Sequence, residues 1–127
     1  MINEQLINPR SIVVVGGSNN INKPGGKILK NLIAGNFKGE LYVMNLKEDE
    51  VQGVKSFNTV EELPEVDLAI IAIAAKHTLN VVKTLTQFKN TKAFIIISAG
   101  YSEENAEGKL IEDQIVEEID KVGGTLI

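Results

Sequence analysis

The chain has no cysteine among its 127 residues, which excludes a disulfide framework, a thiolate metal site and a cysteine nucleophile. Aromatic residues are scarce. Four Phe and two Tyr leave few platforms on which the bases of a single strand could stack. Positive charge is not in excess either: 13 Lys and Arg against 17 Asp and Glu give a net charge of -4. General nucleic-acid binding needs a clustered basic face, so no nucleic-acid partner is expected. No apolar run approaches the length of a membrane span, and no membrane partner is expected. Asn3 and Glu4 interrupt the start, where the basic and apolar regions of a signal peptide would lie, which makes the cytoplasm the expected location. Internal repeats, low-complexity tracts and linkers are absent as well. What remains is an ordinary globular composition, 43% hydrophobic and 24% charged, of about one domain's length.

Within that composition, hydrophobic pattern and punctuation alternate strands with helices. Ser11 to Gly16 reads as a strand. Gly26 to Ala34 reads as a helix, with Ile28, Leu29, Leu32 and Ile33 on one apolar face and Gly35 stopping it. Gly39 begins a short strand, Glu40 to Met44. Gly53 to Phe57 reads as a further short extended piece, and Thr59 caps a brief turn, Val60 to Leu63, ended by Pro64. Asp67 to Ala74 and Lys92 to Ile97 are apolar runs of strand length. Thr78 to Phe88 and Glu103 to Val122 carry apolar residues at helical intervals, and Gly123-Gly124 ends the second. Thr125 to Ile127 begins another strand. Strands apolar along their whole length are buried on both faces, as in a parallel sheet with helices on either side. The expected fold is α/β: a doubly wound, mostly parallel Rossmann-like sheet of about five strands with helices on both faces. Because the sequence stops inside its last strand, residues 1–127 are expected to be a single domain of a longer chain.

The segment SIVVVGGSNNINKPGGKILKNLI, residues 11 to 33, runs from a strand through glycines into a helix. That is a phosphate-binding arrangement, in which glycines let the backbone approach an anion and the helix N-terminus stabilises its charge. Ligands of open α/β sheets sit outside the carboxyl ends of the strands, which singles out Gly16 to Gly26, Asn45 to Lys47, Ala74 to His77 and Ser98 to Tyr101. The first loop matches neither G-x-G-x-x-G nor G-x-x-x-x-G-K-[ST]. An NAD-binding domain carries Asp or Glu at the end of its second strand, whereas this chain carries Asn45-Leu46-Lys47. A lysine there suits a ribose phosphate and narrows the ligand to NADP or a 3′-phosphorylated adenosine such as coenzyme A, although Glu48, Asp49 and Glu50 partly offset its field. Two glycine pairs exceed what strand-to-helix packing alone asks. Lys23 and Lys47, at successive strand ends, point together to phosphate rather than to two solvated lysines. His77 reads as a surface or helix-start residue, with no partner nearby in sequence for proton transfer. Ser98 could satisfy a local backbone group or touch the cofactor. Glu103, Glu104 and Glu107 read as a helix N-terminal turn, and Asp67 as shaping a strand entry.

The strings NPRSIVVVGGSNN, NKPGGKILKNLI, FKGELYVMNLK, VDLAIIAIAAK and AFIIISAGYSEE follow in that order. Together they resemble the CoA-binding domain of the ADP-forming, or NDP-forming, acyl-CoA synthetases, relatives of the succinyl-CoA synthetase alpha subunit. The resemblance runs from Ile7 to Ile127 and implies that the cofactor is coenzyme A. It implies that Gly17, Ser18, Asn19, Asn20 and Lys23 line the CoA phosphates and that Lys47 contacts the cofactor. Ile97, Ser98, Ala99 and Gly100 would lie beside the pantetheine arm, and Gly16, Gly25, Asn45, Ala74 and Ala75 belong to the same cofactor-binding set. Two departures stand out: the family's Asn-Pro-Lys is Asn45-Leu46-Lys47 here, and its Val-Pro-Ala is Ile73-Ala74-Ala75. Loss of both prolines makes these loops less rigid. Catalysis in the family uses a phosphorylated histidine in another domain, and His77 does not stand at that position. The chain by itself is therefore expected to bind CoA and catalyse nothing, with the remaining domains or subunits of the synthetase as partners. Two other readings stay open, a stand-alone CoA-binding regulator or carrier and a fragment of an NADP-dependent oxidoreductase.

Overall fold

The computed structural model describes residues 3–97 and 106–127. Seven strands form one sheet: β1 Ser11–Val15, β2 Glu40–Met44, β3 Glu50–Val51, β4 Val54–Phe57, β5 Leu68–Ile71, β6 Ala93–Ile96 and β7 Thr125–Leu126. The helices are α1 Glu4–Ile7, α2 Pro24–Ala34, α3 Ala75–Phe88 and α4 Ala106–Lys121, with one turn of 3-10 helix at Val60–Glu62. The strand order is β3-β4-β2-β1-β5-β6-β7, and only the β3–β4 pair is antiparallel. The architecture is the mostly parallel α/β sheet expected, with two strands more than the five read from sequence. The two are β4, which falls within the extended piece read at 53–57, and β3. β3 is two residues long and leaves no hydrophobic pattern to read.

Burial explains the uniformly apolar strands. Val13, Val14 and Val15 are all fully buried, because both faces of β1 are covered. Val13 and Val15 join Ala69, Ile71 and Phe94 in a core closed by Val81, Val82 and Leu85 of α3 and Ile115 and Ile119 of α4. On the opposite face Val14 and Val43 pack on Leu29 of α2. Ile12, Leu68, Ile70 and Ala93 form a second cluster there, with Leu6 of α1 and Ile28 and Leu32 of α2 at its margin.

The helix starts differ from the sequence reading for local reasons. α2 begins at Pro24 rather than Gly26, since a proline's fixed φ and missing N–H suit a first helical position. α3 begins at Ala75 rather than Thr78. Thr78 lies inside the helix, fully buried, with its hydroxyl donating to the Ala74 carbonyl at 3.2 Å. The start expected at Glu103, and Glu104 with it, lies outside the described residues. α1 is a single turn, too short for periodicity. Asn3 caps it through Oδ1, which accepts the Leu6 N–H at 3.0 Å. At the other end of the strands from the glycine loop, Asp67 Oδ2 accepts the Arg10 N–H at 2.8 Å, fixing the entry to β1 against the entry to β5.

Candidate functional site

The sheet order reverses at β1: β2 lies on one side and β5 on the other. A crevice at the carboxyl ends of β1 and β5 is the place such a topology offers to a ligand. The loop leaving β1 is shaped by backbone packed on backbone. Gly16 has φ +90, and its N–H donates to the Met44 carbonyl at 2.9 Å. A Cβ there would strike the Ala72 carbonyl and come within 2.9 Å of Ile73 Cγ2. One on Gly17 would lie 2.8 Å from Val43 Cγ1, one on Gly25 would strike the Gly16 carbonyl, and one on Gly26 that of Asn20. Close packing thus accounts for both glycine pairs, contrary to the expectation that they exceed what packing requires. The loop needs them to fold tightly over the ends of β1 and β2.

Ser18, Asn19 and Asn20 are tied into the same fold. Ser18 Oγ accepts the Asn20 N–H at 3.0 Å, and Asn20 Oδ1 accepts the Asn22 N–H at 3.0 Å. Asn19 Oδ1 accepts the Gln52 N–H at 2.8 Å, which turns Asn19 toward the β3–β4 hairpin. At the end of β2, Asn45 Nδ2 donates to the Gly17 carbonyl at 2.9 Å while Oδ1 accepts the N–H of Lys47 and of Glu48. Asn45 joins the first two loops. Asn58 Nδ2 in turn donates to the carbonyls of Asn45 and Glu48, at 2.9 and 3.2 Å.

These loops and the start of α3 surround a cleft of about 600 Å³. Its floor and walls include Met44, Val60, Ile73 and Val81, and its rim carries Lys23, Lys47, Lys76, His77, Asn80 and Glu61. Gly16, Asn45 and Leu46 also line it. Of the residues expected in the site, Gly16, Lys23, Asn45 and Lys47 come together here, while Gly17 and Gly25 are buried beneath the loop. Ala74 is the exposed N-cap of α3 and Ala75 its buried first residue; their neighbours Ile73 and Lys76 face the cleft. The Ile97 side chain is half exposed and its N–H donates to the Ile71 carbonyl at 2.8 Å. Ser98, Ala99 and Gly100 lie outside the described residues.

The electrostatics of the rim suit an anion. In a chain of net charge -4, three lysines meet at one opening. Among the described residues the ion pairs all lie on α4, so Lys23, Lys47 and Lys76 have no carboxylate partner. Both helices that start at the cleft, α2 and α3, lack a side-chain N-cap and an acidic residue in the first turn. Among the described residues, no capping or first-turn acidic side chain of these helices therefore offsets their positive dipole ends. The volume falls within the range of roughly 300–1,000 Å³ typical of cofactor sites. An elongated ligand with phosphate groups and apolar stretches fits these walls. Lys76, Asn58 and Asn80 were missed from sequence, and His77 was set aside. The helical spacing of Lys76, His77 and Asn80 along the first turns of α3 is the signal that could have found three of them.

Residues 10–120 match the CoA binding domain family. The alpha subunit of ADP-forming acetate–CoA ligase II from Pyrococcus furiosus is 42% identical in an alignment that covers 98% of this chain and 27% of that protein. The ADP-forming acetate–CoA ligase II of Archaeoglobus fulgidus is 36% identical over 119 residues, 93% of this chain and 18% of that one. The chain therefore spans 27% or less of the length of these curated relatives. Among solved structures, the dinucleotide forming acetyl-coenzyme A synthetase 1 of Ca. Korarchaeum cryptofilum superposes with a TM-score of 0.87 at 31% identity, over 98% of this chain and 27% of that one. A conserved hypothetical protein from Pyrococcus furiosus superposes with a TM-score of 0.70 at 30% identity, over 92% of this chain and 90% of that one. With its sheet reversal, its cationic cleft and a family match over nearly its whole length, the chain belongs to the CoA binding domain family.

Proposed function

We propose that this chain is the CoA-binding domain of an NDP-forming acyl-CoA synthetase, holding coenzyme A in the cleft between the ends of β1, β2 and β5. The parent reaction is acyl-CoA + ADP + phosphate to acid + CoA + ATP, in either direction, with phosphohistidine and nucleotide chemistry in other parts of the enzyme. This domain contributes binding and orientation. Lys23 and Lys47 grip the phosphates of CoA, the latter facing the ribose 3′-phosphate. Lys76 adds charge from α3. Gly16 to Asn20 and Gly25 form the loop that carries the uncapped α2 N-terminus, and Ile97, just after β6, lies beside the pantetheine arm. The observation that supports the reading is the meeting of three lysines, unpaired among the described residues, with two helix starts lacking a side-chain cap at one cleft. Calorimetry with CoA and with dephospho-CoA tests it. CoA should bind about tenfold or more tightly, the scale of one charge-assisted contact. Equal affinity for the two would remove the 3′-phosphate assignment.

A stand-alone CoA-binding protein is the second reading, favoured by the Pyrococcus furiosus structure of nearly matching extent. The size of the purified natural protein separates the two: a synthetase domain belongs to a polypeptide or complex several times larger.

A further inference from the structure

β3 and β4 are joined by Gln52-Gly53, and both residues have positive φ, +50 and +81. A two-residue hairpin of this kind favours Asn or Gly at its first position, so a glutamine there holds an unfavourable backbone conformation. Its side chain accounts for its presence. Nε2 donates to the Ser18 carbonyl at 2.8 Å and to the Gly26 carbonyl at 2.9 Å, bridging the first loop and the first turn of α2. The Gln52 N–H also donates to Asn19 Oδ1 at 2.8 Å. One residue thus grips the glycine loop and the α2 start at three points. Gln52 is not among the residues that line the cleft. A peptide group is planar and trans, so fixing the Ser18 carbonyl toward the hairpin directs the Asn19 N–H the opposite way.

We propose that Gln52 is a positioning residue for cofactor binding, a latch by which the β3–β4 hairpin holds the glycine loop and the α2 start in their binding geometry. The proposal rests on the CoA reading above. Without the latch the loop must be ordered by the ligand, and affinity falls by that cost. The full-length protein is compared with Gln52→Gly, Gln52→Glu and Gln52→Lys by thermal melting, amide hydrogen exchange over residues 16–26 and calorimetry with CoA. Gln52→Gly relieves the positive-φ strain and keeps the hairpin, so its melting temperature should stay near the parent's. Its loop amides should exchange faster, and CoA affinity should drop about tenfold. Gln52→Glu, equal in shape but an acceptor against two carbonyls, should lose at least as much. Gln52→Lys returns a donor of similar reach and should restore slow exchange where Gln52→Glu, which fills the same space, does not, a contrast that a merely space-filling role would not give. Unchanged exchange in Gln52→Gly, or no rescue by Gln52→Lys, overturns the latch whatever the ligand. Failure of the parent protein to bind CoA overturns the CoA reading, and with it the latch's part in binding CoA.

Discussion

Gly16 holds φ +90 with the Ala72 carbonyl standing where a side chain would begin, so its role is conformational before it is chemical. Gly16→Ala should cost at least the left-handed penalty of roughly 1–2 kcal/mol, read as a lower urea midpoint at unchanged m-value. Lys47 is the contrasting case. It is exposed and unpaired among the described residues, so Lys47→Ala should shift stability by no more than about 0.5 kcal/mol. The same change should weaken CoA binding about tenfold, a loss that shrinks with dephospho-CoA. Calorimetry beside a melting curve separates the two effects. At this scale the sequence was partly legible. Lysines and glycines at strand ends stand out because their types carry the chemistry. Asn45, Asn58 and Gln52 do not disclose their partners, since each bonds to a carbonyl in a segment remote in the chain, 28 residues away for Asn45 and Gly17.

The elements that bear on the site are α2, α3 and the β3–β4 hairpin. Leu29 of α2 is fully buried against Val14 and Val43 and sets the helix on the sheet. Leu29→Ala should therefore destabilise the fold by about 2–5 kcal/mol. Through the displaced start of α2 it should also weaken CoA binding, and denaturant titration with and without CoA would reveal both. The long buried strands and amphipathic helices were legible because two faces of burial leave continuous apolar runs and one face leaves a helical stripe. The hairpin was half legible: β4 falls within the extended piece read at 53–57, whereas β3 leaves no pattern. β3 is held by a turn whose Gln-Gly pair is not a common hairpin signal, and its conformation depends on bonds to the glycine loop. Neither α2 nor α3 has a side-chain cap to mark its start, and for α2 the remaining signal was Pro24 at the first helical position. That absence is itself informative, because it leaves two dipole ends open toward the cleft.

On the scale of the whole molecule, an acidic protein brings three lysines, without an ion-pair partner among the described residues, to one cleft at the carboxyl ends of its strands. Binding of CoA should weaken as salt is raised, since the rim lysines are exposed to screening. Bound CoA should also stabilise the fold, by about 2.7 kcal/mol at a concentration a hundredfold above Kd, visible as a raised melting temperature. A smaller polar crevice of about 280 Å³, lined by Gln5, Asn8, Arg10 and Asp67, lies at the opposite end of the strands and lacks the lysine cluster. The central claim is that CoA is held at the carboxyl ends of β1, β2 and β5, and mapping amide chemical shifts during a CoA titration tests it most directly. The account predicts saturable shifts at residues 16–26, 45–48 and 73–77, with residues 5–10 and 67 unmoved. Shifts centred on Arg10 and Asp67, with the glycine loop silent, would contradict it.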